Sequence, residues 1–286
     1  MNRIAEIQNE ESMLATQYCA RHCYNFAEIL NWMSWGLCLI SVVVLNIPEI
    51  SAWLGTTKAI IGAMITLITI LIDSKKKYFV KLGAAFKTLF DYKLFGFETS
   101  DKFNGIYLEE LKSKIGIITT RYPKSFMKQK SHNGTDKPNG VKDWYFNVSP
   151  QLAEDDAIRK CQHTNLTFDI PLTQLTQNIY MVLIGIIVAV LFALNAEHSL
   201  LDVVINLSAM ISLIVKVIRE LYGVIKLKIT LTLIQSLIHR KTLSTSDIQK
   251  LIDERRNADV IIPNFIYAIK RNFLHISTIN SGSIDI

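Results

Sequence analysis

Cysteine is scarce in this 286-residue chain, with four in all. Cys38 lies inside an apolar block and no paired spacing links the others, which excludes a disulfide framework and suits a reducing compartment. Cys19, His22 and Cys23 stand close together, but no second Cys/His pair has a zinc-ligand spacing, so helix packing is the expected role and no metal is expected. The first thirty residues have no apolar run and carry Glu6, Glu10, Glu11 and Glu28, so no cleavable signal peptide is expected. A Walker loop, a glycine-rich phosphate cradle, HExxH, a nucleophile elbow and a paired-carboxylate spacing are all missing. The expectation is therefore a protein that is not an enzyme and holds no cofactor.

What the chain has is hydrophobic residue, half of its length, gathered into four blocks at about 30–47, 53–72, 177–196 and 200–221. Blocks of this length suit membrane helices. The short turns Asn46–Ala52 and Asn195–Ser199 fold them into two hairpins. The expected architecture is an all-α integral membrane protein with an α-rich cytoplasmic part. Its segments are an N-terminal helix over 1–29, a hairpin over 30–72, a helical insert over 73–176, a second hairpin over 177–221 and a helical region over 222–286. Seventeen Lys and Arg fall in 73–175 and eleven from 216 onward, against two in the N-terminal arm and Lys58 alone beside the first turn. By the positive-inside rule both termini and the insert face the cytoplasm.

Two blocks have a polar side. At about 100° per residue, Asp202, Asn206, Ser208, Ser212, Lys216 and Arg219 share an arc of about 160° on the fourth helix. Lys58, Gly62, Thr66, Thr69 and Asp73 share about 80° on the second. Such faces either pack in a bundle or line water. The candidate pore or bundle face is therefore Lys58, Thr66, Thr69, Asp73, Asp202, Asn206, Ser212 and Lys216.

Outside the membrane, the second helix is expected to run on to Phe95, with Gly96 as a break, and residues 105–121 to be helical. Residues 128–143, with two Asn-Gly steps, read as a loop. Before it, Arg121, Lys124 and Lys128 lie among Tyr122 and Phe126, and Trp144 follows. Basic and aromatic groups together suit a nucleotide, and these four are the candidate nucleotide-binding residues. Ser149–Pro150 is expected to open the next helix, and Ser244 with Asp247 to cap another running to about Ala258. Pro263 is expected to start a short one. No strand series is expected.

Gln8–Asn9, Phe90–Asp91, Trp144–Tyr145, Cys161–Gln162, Asn165, Asp169, Asp253, Arg256, Pro263 and Tyr267, set around two membrane hairpins, make the chain resemble the SMODS/SLOG-associating four-transmembrane effector family over nearly its whole length. It has Phe168 before Asp169 where the family pattern has tryptophan. The resemblance implies a multi-pass protein of the bacterial inner membrane, encoded beside a CD-NTase-type cyclase in an anti-phage (CBASS-like) system. It further implies a cyclic oligonucleotide ligand, homo-oligomerisation, and membrane permeabilisation that ends in abortive infection. The expected partners are membrane lipid, that ligand and the cyclase system, and no DNA or RNA polymer is expected. The alternative is a membrane-anchored scaffold without pore activity.

Overall fold

The computed structural model describes residues 2–55, 57–195, 200–240 and 243–270, without the side chains of 46, 48, 51, 194–195, 200–206 and 208–209. A single turn, α1 (Ile4–Ile7), leads into α2 (Glu11–Asn46). The short α3 (Pro48–Leu54) turns the chain into α4 (Thr57–Phe95). A two-residue hairpin, β1 (Lys102–Phe103) with β2 (Ile106–Tyr107), precedes α5 (Leu108–Arg121) and α6 (Pro123–Lys130). After a long loop come α7 (Glu154–Asn195), α8 (Leu200–Arg240) and α9 (Thr245–Arg256), and residues 264–270 are helical again.

Helices α2, α4, α7 and α8 are each long and apolar enough to cross a membrane. The 39 residues of α4 span about 58 Å at ~1.5 Å per residue, roughly twice a ~30 Å hydrocarbon layer. One half of the helix therefore stands outside that layer. Only 17% of the most apolar stretch of α7 is buried, and 28% in α2 and α8. Ile40 and Val43 of α2, Leu67 and Leu71 of α4, Val182 of α7 and Ile218 of α8 all face outward. Those side chains stand where lipid tails would cover them. Small and polar residues point in: Ser34, Cys38, Ser41, Gly62 and Thr69 are buried where the backbones approach.

The extramembrane halves of the same helices make the larger core. Leu14 and Tyr18 of α2 meet Phe86 and Leu89 of α4, closed over by Leu111 and Phe126. Leu166 of α7 packs with Leu231 and Ile234 of α8 and with Ile248 and Ile252 of α9. All four long helices run unbroken across 29/30, 72/73, 176/177 and 221/222, so those boundaries mark a change of surroundings rather than a break in the backbone.

Several local expectations meet corrections. The N-terminal helix is interrupted at Gln8–Glu10, because Gln8 is drawn into bonds with the backbone of Tyr145. Residues 128–130 are helical, the end of a helix that Pro123 starts, and the loop begins at Ser131. Ser149–Pro150 lies ahead of a turn, and α7 starts at Glu154 with three acids in its first turn. Asn104 and Gly105 both have positive φ, which turns β1 back onto β2 where no strand is expected from pattern. Pro171 lies inside α7 and does not end it. Elsewhere pattern and structure agree: α4 stops at Gly96, whose φ is +67°, and Ser244 Oγ accepts the Asp247 N–H as the cap of α9.

Candidate functional site

The first site lies where α2, α4 and α8 leave the apolar layer. Asp73 of α4 pairs with Lys216 of α8 at 2.8 Å, and Arg219 reaches its other carboxylate oxygen. Glu220 takes Lys76 at 2.6 Å and Lys216 at 3.2 Å. Asn31 of α2 accepts from both ammonium groups, at 3.3 Å from Lys76 and 3.1 Å from Lys216. The Lys216 ammonium also lies 5.8 Å from the centre of the Trp35 ring. Asp73, Lys76, Lys216 and Glu220 are all at most 5% exposed. Two buried lysines thus share two buried carboxylates and an amide, and Arg219 joins from the exposed side. Burial makes each of the four buried charges hard to remove singly, since one orphaned charge in such a setting costs ~3–5 kcal/mol.

The expected polar faces meet here. Asp73 and Lys216 touch, and Ser212 is buried one turn beyond Lys216. Thr66 and Thr69 spend their hydroxyls on backbone carbonyls of α4, and Lys58 is 2% exposed. In the single chain these residues form an inward seam. The side chains of Asp202 and Asn206 lie outside the described residues.

The second site is extramembrane. The Arg256 guanidinium of α9 bonds Asp91 of α4 at 2.5 Å and Asp253 at 3.3 Å. Tyr145 donates its hydroxyl to Asp91 at 3.1 Å and accepts from Asn165 at 3.0 Å. Gln249 donates to both carboxylates, and Gln162 bonds Gln249 and the backbone of Thr245. Gln8 brackets the backbone of Tyr145, while Asn9 and Asp143 exchange two bonds. Residues scattered from position 8 to position 256 therefore converge on one buried node. Burial opposes the charge of Arg256, but Asp91 and Asp253 prevail and hold its pKa above the ordinary guanidinium value. Burial likewise raises the Asp253 carboxyl, against the pull of Arg256.

Two adjoining cavities of about 270 and 280 Å³ open beside this node. Both are bounded by Tyr24 of α2, Lys87 of α4, Asp169 of α7, Arg255 and Arg256 of α9, and Tyr267. The first of the two adds Arg21, Trp144 and Phe146, and loop residues Gly134 and Asn139. Joined, the two fall within the ~300–1,000 Å³ of small-molecule sites. Arg21 holds the loop wall by donating to the carbonyls of Asn139 and Gly140, at 2.9 and 3.0 Å. Gly140 is required there, since a Cβ would stand 1.7 Å from the His132 carbonyl oxygen.

The cations of this cavity differ in their partners. Arg256 has its two carboxylates, Arg255 is paired with Asp169, and Arg21 has its carbonyls. Lys87 has no carboxylate partner among the described residues. Its ammonium sits over the Trp144 ring, 4.9 Å from the centre. Burial, with Arg256 and Arg255 beside it, brings its pKa down to about 7. Burial and Arg256 also bring Arg255 down to about 10.

Of the four expected nucleotide-binding residues, Trp144 lines the cavity, while Arg121, Lys124 and Lys128 stand exposed on α5 and α6, outside it. Lys87, Arg21 and Arg255 escape a local search because they come from three separate helices. The one sequence signal is that Lys87 interrupts Leu82–Asp91, a stretch in which every other residue is buried. Neither the curated proteins nor the solved structures give a match to this chain. The family model described as the SMODS-associating 4TM effector domain does match, over residues 2–275, and the chain therefore belongs to that family of membrane effectors.

Proposed function

We propose that this protein is the membrane effector of a bacterial anti-phage system of the CBASS type, switched by a cyclic oligonucleotide that a neighbouring CD-NTase-type cyclase makes. It acts as a homo-oligomer in the inner membrane, with both termini and the helical insert cytoplasmic, and it catalyses no reaction. At rest the Asp73–Lys216–Glu220 knot holds the polar faces of α4 and α8 together. Activation separates them, and the polar faces that carry Thr66, Thr69, Ser212, Asp202 and Asn206 then meet water. The membrane is permeabilised and the cell stops before phage release.

One observation carries this reading: α4 is a single helix that holds Asp73 in the knot, Lys87 at the cavity and Asp91 in the node beside it. A ligand that favours one arrangement around Lys87 biases the seam through that helix, and it can do so only by binding the two arrangements unequally. Co-expression with an active cyclase, read by entry of a membrane-impermeant dye, is the test. Leakage that depends on the cyclase is the expected result. Growth arrest with an intact membrane, preserved when the four spans are exchanged for unrelated ones, would favour the scaffold reading instead.

A further inference from the structure

We infer that the paired cavity beside Arg256 is the ligand site of this effector, that it takes a phosphate ester carrying a planar base, and that Lys87 is the phosphate's seat. The inference rests on the effector reading above and goes further by naming the site and its chemistry. Four cations border the first cavity against a single acid, Asp169, and three of the four are already matched to a carboxylate or to carbonyls. Lys87 is the one with neither a salt bridge nor a carbonyl bond among the described residues, and its ammonium sits over the Trp144 ring. A cation over an aromatic face gains ~0.5–2 kcal/mol. A charge-assisted bond to an anion gains ~1.5–3 kcal/mol, and phosphate brings several acceptor oxygens.

The arrangement is therefore self-covering. Lys87 occupies the face of Trp144 while the cavity is unfilled by anion. A phosphate draws the ammonium off the ring and exposes that face to the base, which stacks at ~1–3 kcal/mol. Tyr24 and Tyr267 border both cavities, and Asn139 and Asn165 place amides at the first, where a base edge needs donors and acceptors. The other sizeable hollow, about 400 Å³ between Gln177 and Ser236, has Lys228 and no aromatic ring, and it lacks this pairing of chemistries.

The test uses the full chain in lipid nanodiscs and calorimetric titration with cyclic di-AMP, AMP, adenosine and inorganic phosphate. Expected are binding of the two phosphorylated adenine probes, weaker binding of phosphate, and none of adenosine. Lys87→Met weakens the nucleotides at least tenfold without lowering its melting temperature, Lys87→Arg restores part of the affinity, and Trp144→Leu weakens AMP while sparing phosphate. Unaltered affinity in a folded Lys87→Met protein overturns the inference, as does a wild-type protein that binds none of the phosphorylated probes. The same variants co-expressed with a cyclase separate this claim from the effector reading. Dye entry that persists in Lys87→Met sinks the site and leaves the effector. Lys87-dependent binding without any dye entry sinks the effector and leaves the site.

Discussion

Where the helices leave the apolar layer, Asp73 and Glu220 pair with the buried Lys76 and Lys216, and the exposed Arg219 reaches Asp73 as well. Fourteen residues further along α4, about 21 Å at the helical rise, Lys87 faces a cavity with its ammonium over an indole ring and no salt bridge among the described residues. Both lysine sets sit among apolar side chains, and both bear the cost of leaving water. In the first, Asp73 and Glu220 answer the two buried lysines inside the chain. The second stays in deficit, and a deficit of this sign is what an external anion makes good. The contrast separates a fastening from a receptor.

The largest effects break the fastening. Asp73→Leu leaves Lys216 and Arg219 without their shared carboxylate, and a loss of ~3–5 kcal/mol is expected in thermal unfolding of the solubilised protein. Adding Lys216→Leu removes the stranded ammonium, so the double variant should melt above the Asp73→Leu single. A double that melts lower would mean the knot is not a closed unit. Asp91→Ala should be as harmful as Asp73→Leu, because Arg256, Tyr145 and Gln249 all direct donors at that carboxylate.

Lys87→Met should behave oppositely, with a melting point equal to or above that of the unaltered chain at pH 7. The pH dependence sharpens this point. Arg21 and Tyr24 from α2, Arg255 and Arg256 from α9, Asp169 from α7 and Asp91 of its own helix surround Lys87. Its pKa is about 7 when folded, against the ordinary lysine value of 10.5. Between those values the unfolded chain holds a proton that the folded chain has released, so this group makes stability rise with pH across that window. The difference in melting temperature between Lys87→Met and the unaltered chain should therefore shrink from pH 7 to pH 10. Nucleotide affinity moves the other way and falls as pH climbs past 7, since the seat loses its charge.

The smallest effect concerns the element that carries the guanidinium pair. Ser244→Ala removes the only side-chain cap of α9 and should cost ~1 kcal/mol by the same melt. Because α9 holds both Arg255 and Arg256, a slight weakening of nucleotide binding should accompany it, while the knot variants' stability is untouched.

The membrane half was open to reading from the chain alone, since period and length suffice there. Four apolar blocks became four long helices, and the arcs through Asp73 and Lys216 placed two residues within 2.8 Å that lie far apart in sequence. Helix ends with a local chemical cause, such as Gly96 and Ser244, were equally legible. Three things resisted. The start of α7 moved because the acids at 154–156 suit a first turn better than Ser149–Pro150 does. Pro171 was carried through inside α7, where the Thr173 hydroxyl donates to the Asp169 carbonyl beside it. The cavity escaped because its cations come from α2, α4 and α9, each ordinary in its own neighbourhood, and only packing brings them together.

Pro171 also makes the four long helices unequal. It cannot donate to the carbonyl of Thr167, so α7 lacks one rung of its ladder between the cavity wall at Asn165–Asp169 and the apolar stretch beyond 177. Three of the columns resist flexure along their length, and the fourth is softened at one known level. One column of the four therefore has a defined level at which bending costs least, between the cavity wall and the apolar stretch.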